Sequence, residues 1–128
     1  MTVSSQSPLI VARDVSRSFT SVNGTVDAIT SANFDIPDGS FTIVYGPSGS
    51  GKSTLLNCLV GLDAPTRGTV LYEGRNLYDM TANERAYFRA YTMGMVYQTS
   101  CWVKSLDVLE NVALPLTFLG VSTENARK

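Results

Sequence analysis

Histidine is missing from all 128 residues, which removes Ser-His-Asp triads, Cys-His proteases, His-ligated zinc and any imidazole general base from within this chain. Cysteine is scarce: Cys58 and Cys101 stand far apart and outside any CxxC pair, so both read as free thiols of a reducing compartment. Neither sign of charge is in surplus. Ten Lys and Arg against eleven Asp and Glu leave a formal net charge of −1, which gives no electrostatic footprint for nucleic acid or an anionic membrane, and no nucleic-acid partner is expected. Long apolar runs are lacking as well. The most apolar stretch, residues 112–121, is interrupted by Pro115 and falls well short of the ~20 residues that span a bilayer. Residues 1–7 are polar, with neither the basic start nor the apolar centre of a secretory signal peptide, so a cytosolic chain is expected. What remains, 44% apolar and 16% charged residues, is the balance of one ordinary globular domain.

The patterning is that of an α/β chain. Residues 9–19 and 25–36 alternate apolar and polar side chains in part and read as antiparallel strands, with Asn23-Gly24 between them as a two-residue hairpin turn. Pro37-Asp38-Gly39 punctuates, and Phe41-Thr42-Ile43-Val44-Tyr45 then reads as a central strand buried on both faces of a parallel sheet. Leu55, Leu56, Leu59 and Val60 recur at helical spacing, predicting a helix over 52–60 that stops at Gly61. Cys58, on that helix, reads as small core filler. A strand is expected over 69–73, turned by Gly74. Thr81 and Glu84 form a capping box that opens a helix to about Ala90, 93–97 reads as a second short buried strand, and 111–120 as a further helical region.

Between the expected central strand and its helix lies Gly46-Pro47-Ser48-Gly49-Ser50-Gly51-Lys52-Ser53, which satisfies G-x-x-x-x-G-K-[ST] in the strand–loop–helix context that gives the pattern meaning. Gly46, Gly49 and Gly51 let the backbone turn tightly, so that N–H groups through Ser48 and Ser50 aim at phosphate oxygens, and the helix start adds its positive end. Lys52 is expected on the β- and γ-phosphates, the Ser53 hydroxyl on Mg2+, and Thr54 on a phosphate. The loop alone leaves open which class of nucleotide-binding protein carries it.

Several blocks in order answer that question. Gly46 through Thr54 continues into Leu55-Leu56; Gly61-Leu62-Asp63-Ala64-Pro65-Thr66-Arg67-Gly68 follows; Gly94-Met95-Val96-Tyr97-Gln98 comes next; and the stretch from Leu106-Asp107-Val108 to Ala113-Leu114-Pro115-Leu116 closes the series. Together these resemble the ATP-binding subunits of ABC transporters, most closely the lipoprotein-release and macrolide-export branch. The resemblance implies a P-loop core, a parallel sheet with flanking helices, joined to an N-terminal antiparallel β subdomain. It places the Walker A loop at 46–54, the Q-loop at Gln98 and the start of a helical subdomain over about 109–128. It also implies ATP and Mg2+ as ligands, Gln98 touching Mg2+ and the attacking water, and Phe19 stacking on adenine with Val26 and Ala28 lining the same face. A transmembrane permease subunit is implied to dock near residues 99–106, where Trp102, the one tryptophan of the chain, offers an anchor. A second copy is implied to complete a homodimer, and the subunit is placed in the cytoplasm, peripheral on the inner face of the membrane.

Departures from the family are equally visible. The Ser-Gly-Gly signature, the Walker B acidic pair, the D-loop and the switch histidine do not occur in these residues. Val70-Leu71-Tyr72-Glu73 imitates Walker B but runs directly into Gly74 and reads as an edge strand and turn. The chain is therefore expected to represent the first half of such a domain, with hydrolysis in isolation doubtful. Two other readings stay open: a nucleotide-binding module without turnover, and another P-loop enzyme such as a GTPase or small-molecule kinase. Against a GTPase stands the lack of Asn-Lys-x-Asp to read guanine.

Overall fold

A long hairpin organises the N-terminal part of the computed structural model, which describes residues 8–22, 24–99 and 101–126. Strands β1 (Pro8–Ser21) and β2 (Gly24–Pro37) pair antiparallel down to Ser21 opposite Gly24. Asn23 of the expected turn, residues 1–7 of the leader reading and Ser100 of the docking segment lie outside the described residues. On the other edge of β1 runs β3 (Arg67–Tyr72), followed by β4 (Arg75–Asn76), giving a four-stranded antiparallel sheet in the order β2-β1-β3-β4. The short 3-10 turn η1 (Leu77–Asp79) follows, capped by Asn76, and buries Leu77. Ala12, Val15, Val70 and Leu77 are buried together with Cys58 and Leu59 of helix α1 (Lys52–Leu59), and this small cluster holds helix and sheet together.

Two expected strands do not form. Residues 41–45 and 93–97 carry no regular structure, and Phe41 and Tyr45 are each 90% exposed. Apolar sequence supplies the reason to bury a strand, but the ladder itself needs neighbours, and a parallel strand receives every inter-strand bond from another segment. Among the described residues every paired strand is antiparallel, so the parallel layer is absent and these runs stay unladdered.

The chain divides into two units, Met1–Arg85 and Ala86–Lys128. Helix α2 (Ala82–Thr92) begins at the expected capping box: the Glu84 N–H donates to Thr81 Oγ1 at 3.3 Å, and the Thr81 N–H donates to Glu84 Oε2 at 2.8 Å. In the second unit α3 spans Val108–Phe118 and α4 spans Thr123–Ala126. Helix α3 starts three residues before the expected position of 111. Asp107 caps it, accepting from the Glu110 N–H at 2.7 Å while Glu110 Oε2 accepts from the Asp107 N–H at 3.0 Å. Pro115 sits inside this helix.

Candidate functional site

Gly51 sets the geometry of the phosphate loop. It occupies the N-cap of α1 with φ 85° and offers no side chain to the helix, so the first N–H groups of α1 have no side-chain cap and remain available to an anion. A Cβ at this position would lie 2.3 Å from the Ala28 carbonyl oxygen. Glycine therefore lets α1 seat its N-terminus directly against β2. Ala28 is the residue skipped where the β1–β2 register shifts between Arg17 and Ser18: Arg17 pairs with Ile29 and Ser18 with Asp27. The bulge thus turns a β2 carbonyl toward the loop.

The rest of the loop follows from this seat. Gly46 (φ 157°) and Gly49 (φ 79°) carry the chain through the turn, and the Ser50 N–H donates to the Pro47 carbonyl at 3.3 Å. The Lys52 ammonium folds back across the opening, donating to the Gly46 carbonyl at 2.9 Å and the Pro47 carbonyl at 2.7 Å. A cavity of about 250 Å3 lies beside it, lined by Ala28, Ile29, Thr30, Ser31, Val44, Tyr45, Ser50, Gly51, Lys52 and Leu55. Ser48 and Ser53 are exposed and Thr54 half-buried on the first turn of α1, so all the sequence-expected loop residues are gathered at one place. The groups present suit a magnesium polyphosphate: a ring of main-chain donors, one mobile cation, and a hydroxyl oxygen for a hard metal.

Phe19 and Val26 stand opposite each other across β1 and β2, Phe19 42% exposed and Val26 more so. The Arg17 guanidinium lies over the Phe19 ring, 4.6 Å from its centroid. That same guanidinium grips Asp63, with Nη2 to Oδ1 at 2.6 Å and Nε to Oδ2 at 3.2 Å. Sequence reading passes over Arg17, although positions i and i+2 of a strand share a face and the pair was visible on that ground. Asp63 has no local signal, being 46 positions from its partner.

The far end of α1 is fastened by residues likewise unflagged. Gly61 ends the helix at φ 71°, as expected. The Tyr78 hydroxyl lies 2.7 Å from both the Cys58 and Asp63 carbonyl oxygens. Arg85 Nε donates to the Gly61 carbonyl at 3.1 Å and its Nη1 to the Met80 carbonyl at 2.9 Å, a cation placed where the helix dipole favours one. Burial pushes the Cys58 thiol up from its ordinary value, with the Asp63 charge adding to it, so this thiol is the inert core filler expected.

In the second unit Gln98 is exposed in a bend after the unladdered run. Cys101 is exposed and free, and Trp102 is 53% exposed. Trp102 borders an open apolar groove of about 440 Å3, together with Tyr97, Thr99, Val112, Pro115 and Phe118. Asn111 pins the segment in front of α3: its Oδ1 accepts from the Val103 N–H at 2.8 Å, and its Nδ2 donates to the carbonyls of Leu106 at 3.0 Å and Asp107 at 2.8 Å. Among the described residues no group of His, Cys, Asp and Glu side chains could hold a metal by itself, and no helix is long and apolar enough to cross a membrane.

The family model for ABC transporters matches residues 29–128. This chain belongs to the ABC transporter family. An ABC transporter ATP-binding protein of Methanocaldococcus jannaschii, itself uncharacterized, is 43% identical over 108 residues, which are 84% of this chain and 48% of that protein. The lipoprotein-releasing system ATP-binding protein LolD of Oleidesulfovibrio alaskensis is 37% identical over 94% of this chain and 52% of its own length. The chain spans about half the length of such ABC relatives. Its fold agrees with the dimeric structure of the ABC transporter cassette MJ0796 at a TM-score of 0.86 and 35% identity, over 92% of this chain and 52% of that one. A second structure of that cassette, in a post-hydrolysis state bound to ADP and Pi, agrees at 0.85. The fold is therefore that of the ABC cassette over the matched half, with the antiparallel sheet and the phosphate-loop helix in place.

Proposed function

We propose that these residues form the Mg-ATP-binding part of an ABC transporter ATPase subunit, with Gly46, Ser48, Gly49, Ser50, Gly51, Lys52, Ser53 and Thr54 holding the triphosphate and Phe19 and Val26 receiving the adenine. The observation that supports it is the start of α1, where uncapped N–H groups and a mobile ammonium converge beside a cavity. Lys52 is already held in the mouth of the loop by two carbonyls. An arriving polyphosphate gives it stronger, charged acceptors and frees those carbonyls without moving the backbone far. The Ser53 hydroxyl would supply an oxygen to Mg2+ at the loop and, by the family resemblance alone, the Gln98 amide another; the ion would supply positive charge to neutralise the phosphates. Phe19 offers a ring face to the base; stacking tolerates any base, and it is the lack of Asn-Lys-x-Asp to read a guanine edge that favours ATP as the ligand.

Turnover needs more than these groups. The carboxylate that polarises water is not among the residues that fit the site, so the 128-residue polypeptide is expected to bind nucleotide without steady hydrolysis and to need partners for it. A second copy completing a homodimer is one. The other is a transmembrane permease that docks near residues 99–106 and holds the subunit at the cytoplasmic face of the membrane; the groove beside Trp102 supports that placement.

Calorimetry tests the reading. Lys52→Ala should weaken Mg-ATP binding about tenfold to a hundredfold, the range for losing charge-assisted bonds to phosphate. Equal affinity in wild type and a folded Lys52→Ala would overturn it.

A further inference from the structure

Arg17 lies between two features that no local pattern connects. On one side its guanidinium covers a face of the Phe19 ring at 4.6 Å. On the other it is held by both oxygens of Asp63, at 2.6 and 3.2 Å, with both side chains about three-quarters covered. A planar guanidinium fixed at two points cannot rotate away from the ring. Asp63 is itself fixed: its N–H donates to the Asn57 carbonyl at 3.2 Å, and its own carbonyl lies 2.7 Å from the Tyr78 hydroxyl. The line Phe19–Arg17–Asp63–Asn57 therefore runs from the end of β1 into the helix that begins at the phosphate loop.

We infer that Arg17 is the positioning residue of the base platform, holding the Phe19 ring by cation–π contact so that one face is closed and the other is presented to the nucleobase, with Asp63 as its anchor on the α1 side. The inference rests on the reading of Phe19 as the adenine platform. A cation behind the ring also opposes its collapse onto the sheet when no nucleotide is bound. Phe19 is half-exposed at a strand end, where an aromatic ring otherwise has several rotamers to choose from.

The test compares ATP with inorganic tripolyphosphate, which engages the loop and lacks a base, on the folded protein and on Phe19→Ala, Arg17→Met, Arg17→Lys and Asp63→Asn. Arg17→Met and Asp63→Asn should each weaken ATP about threefold to tenfold, the scale of a partly shielded cation–π contact, and leave tripolyphosphate unchanged. Arg17→Lys keeps the charge and one bond to Asp63 but loses the flat stack. It should keep the melting temperature and still lose ATP affinity, so it decides the question where Arg17→Met does not fold. Adding Arg17→Met to Phe19→Ala should cost nothing further, because Arg17 acts only through the ring. If Phe19→Ala weakens ATP while the Arg17 and Asp63 variants do not, the positioning role is wrong and the platform reading stands. If Phe19→Ala changes nothing, the platform reading fails and this inference fails with it. Equal losses for ATP and tripolyphosphate in Arg17→Lys would also overturn it, because the residue would then act on the phosphate loop.

Discussion

Gly51 answers two constraints with one missing atom: a left-handed backbone at φ 85° and a carbonyl oxygen 2.3 Å from where Cβ would stand. Alanine there costs about 1–2 kcal/mol for the conformation alone, and the overlap with Ala28 must be relieved by backbone, since neither partner is a flexible side chain. Gly51→Ala should therefore lift α1 off β2, lowering the thermal midpoint and abolishing most Mg-ATP affinity together. Gly49 meets nothing within 4 Å, so alanine at Gly49 bears only the conformational part and should cost less in both measurements. Equal effects of the two substitutions on melting and calorimetry would show that the contact with β2 does not set the loop. Lys52 belongs to the same scale, but its loss removes charge and leaves the seat of the helix intact.

Helix starts are where the elements reveal their chemistry. Thr81 donates its hydroxyl to Glu84 Oε2 at 2.7 Å, and this bond, with the Thr81 N–H beside it, holds the Glu84 carboxyl below its usual range. The sign follows from the depressed value: the bonded carboxylate favours the folded helix above the ordinary glutamate pKa, and that contribution fades as pH falls through the lower folded value. Thr81→Val should raise the Glu84 titration midpoint, followed by carboxyl carbon NMR, toward that of a free side chain, and should flatten the acid limb of α2 unfolding. An unmoved midpoint would mean that the hydroxyl bond does not hold the carboxylate in solution. The Thr81 box was legible in the sequence because four consecutive residues spell it. The same spelling at Asp107 and Glu110 marks the true start of α3, yet the apolar run from Val112 onward masks it. Residues 41–45 and 93–97 show the opposite failure. Their composition carries the wish to be buried but says nothing of a neighbour to pair with, and pairing is a property of other segments. The phosphate loop could be read because its chemistry is contiguous. Arg17–Asp63 and Tyr78–Cys58 could not, because their partners meet only once the sheet has formed.

At the scale of the whole molecule the apolar surface is the dominant fact. Phe41, Ile43, Tyr45, Val96, Val108, Val112 and Phe118 are all exposed, whereas the buried apolar set consists mostly of small and medium side chains. Strong binding of an environment-sensitive hydrophobic dye, falling when a partner subunit is added, is the expected behaviour; negligible dye binding by the 128-residue polypeptide alone would mean that these side chains are covered in solution. If residues 99–106 are the docking segment proposed above, Trp102→Ala should barely move the thermal midpoint, because the ring is 53% exposed, while reducing co-purification with a permease and any ATPase stimulation by it. A loss of several kcal/mol in stability with unchanged permease affinity would assign the ring to the core instead.

Residues 41–45 lead straight into Gly46, and no ladder holds them. Ordering five backbone residues costs about 5–10 kcal/mol of conformational entropy. Whatever share of that is still unspent when nucleotide arrives is charged to binding, so the calorimetric signature should be a favourable enthalpy opposed by entropy. The lever on affinity then sits outside the ligand altogether: whatever orders residues 41–45 before nucleotide arrives would tighten binding without touching a single phosphate.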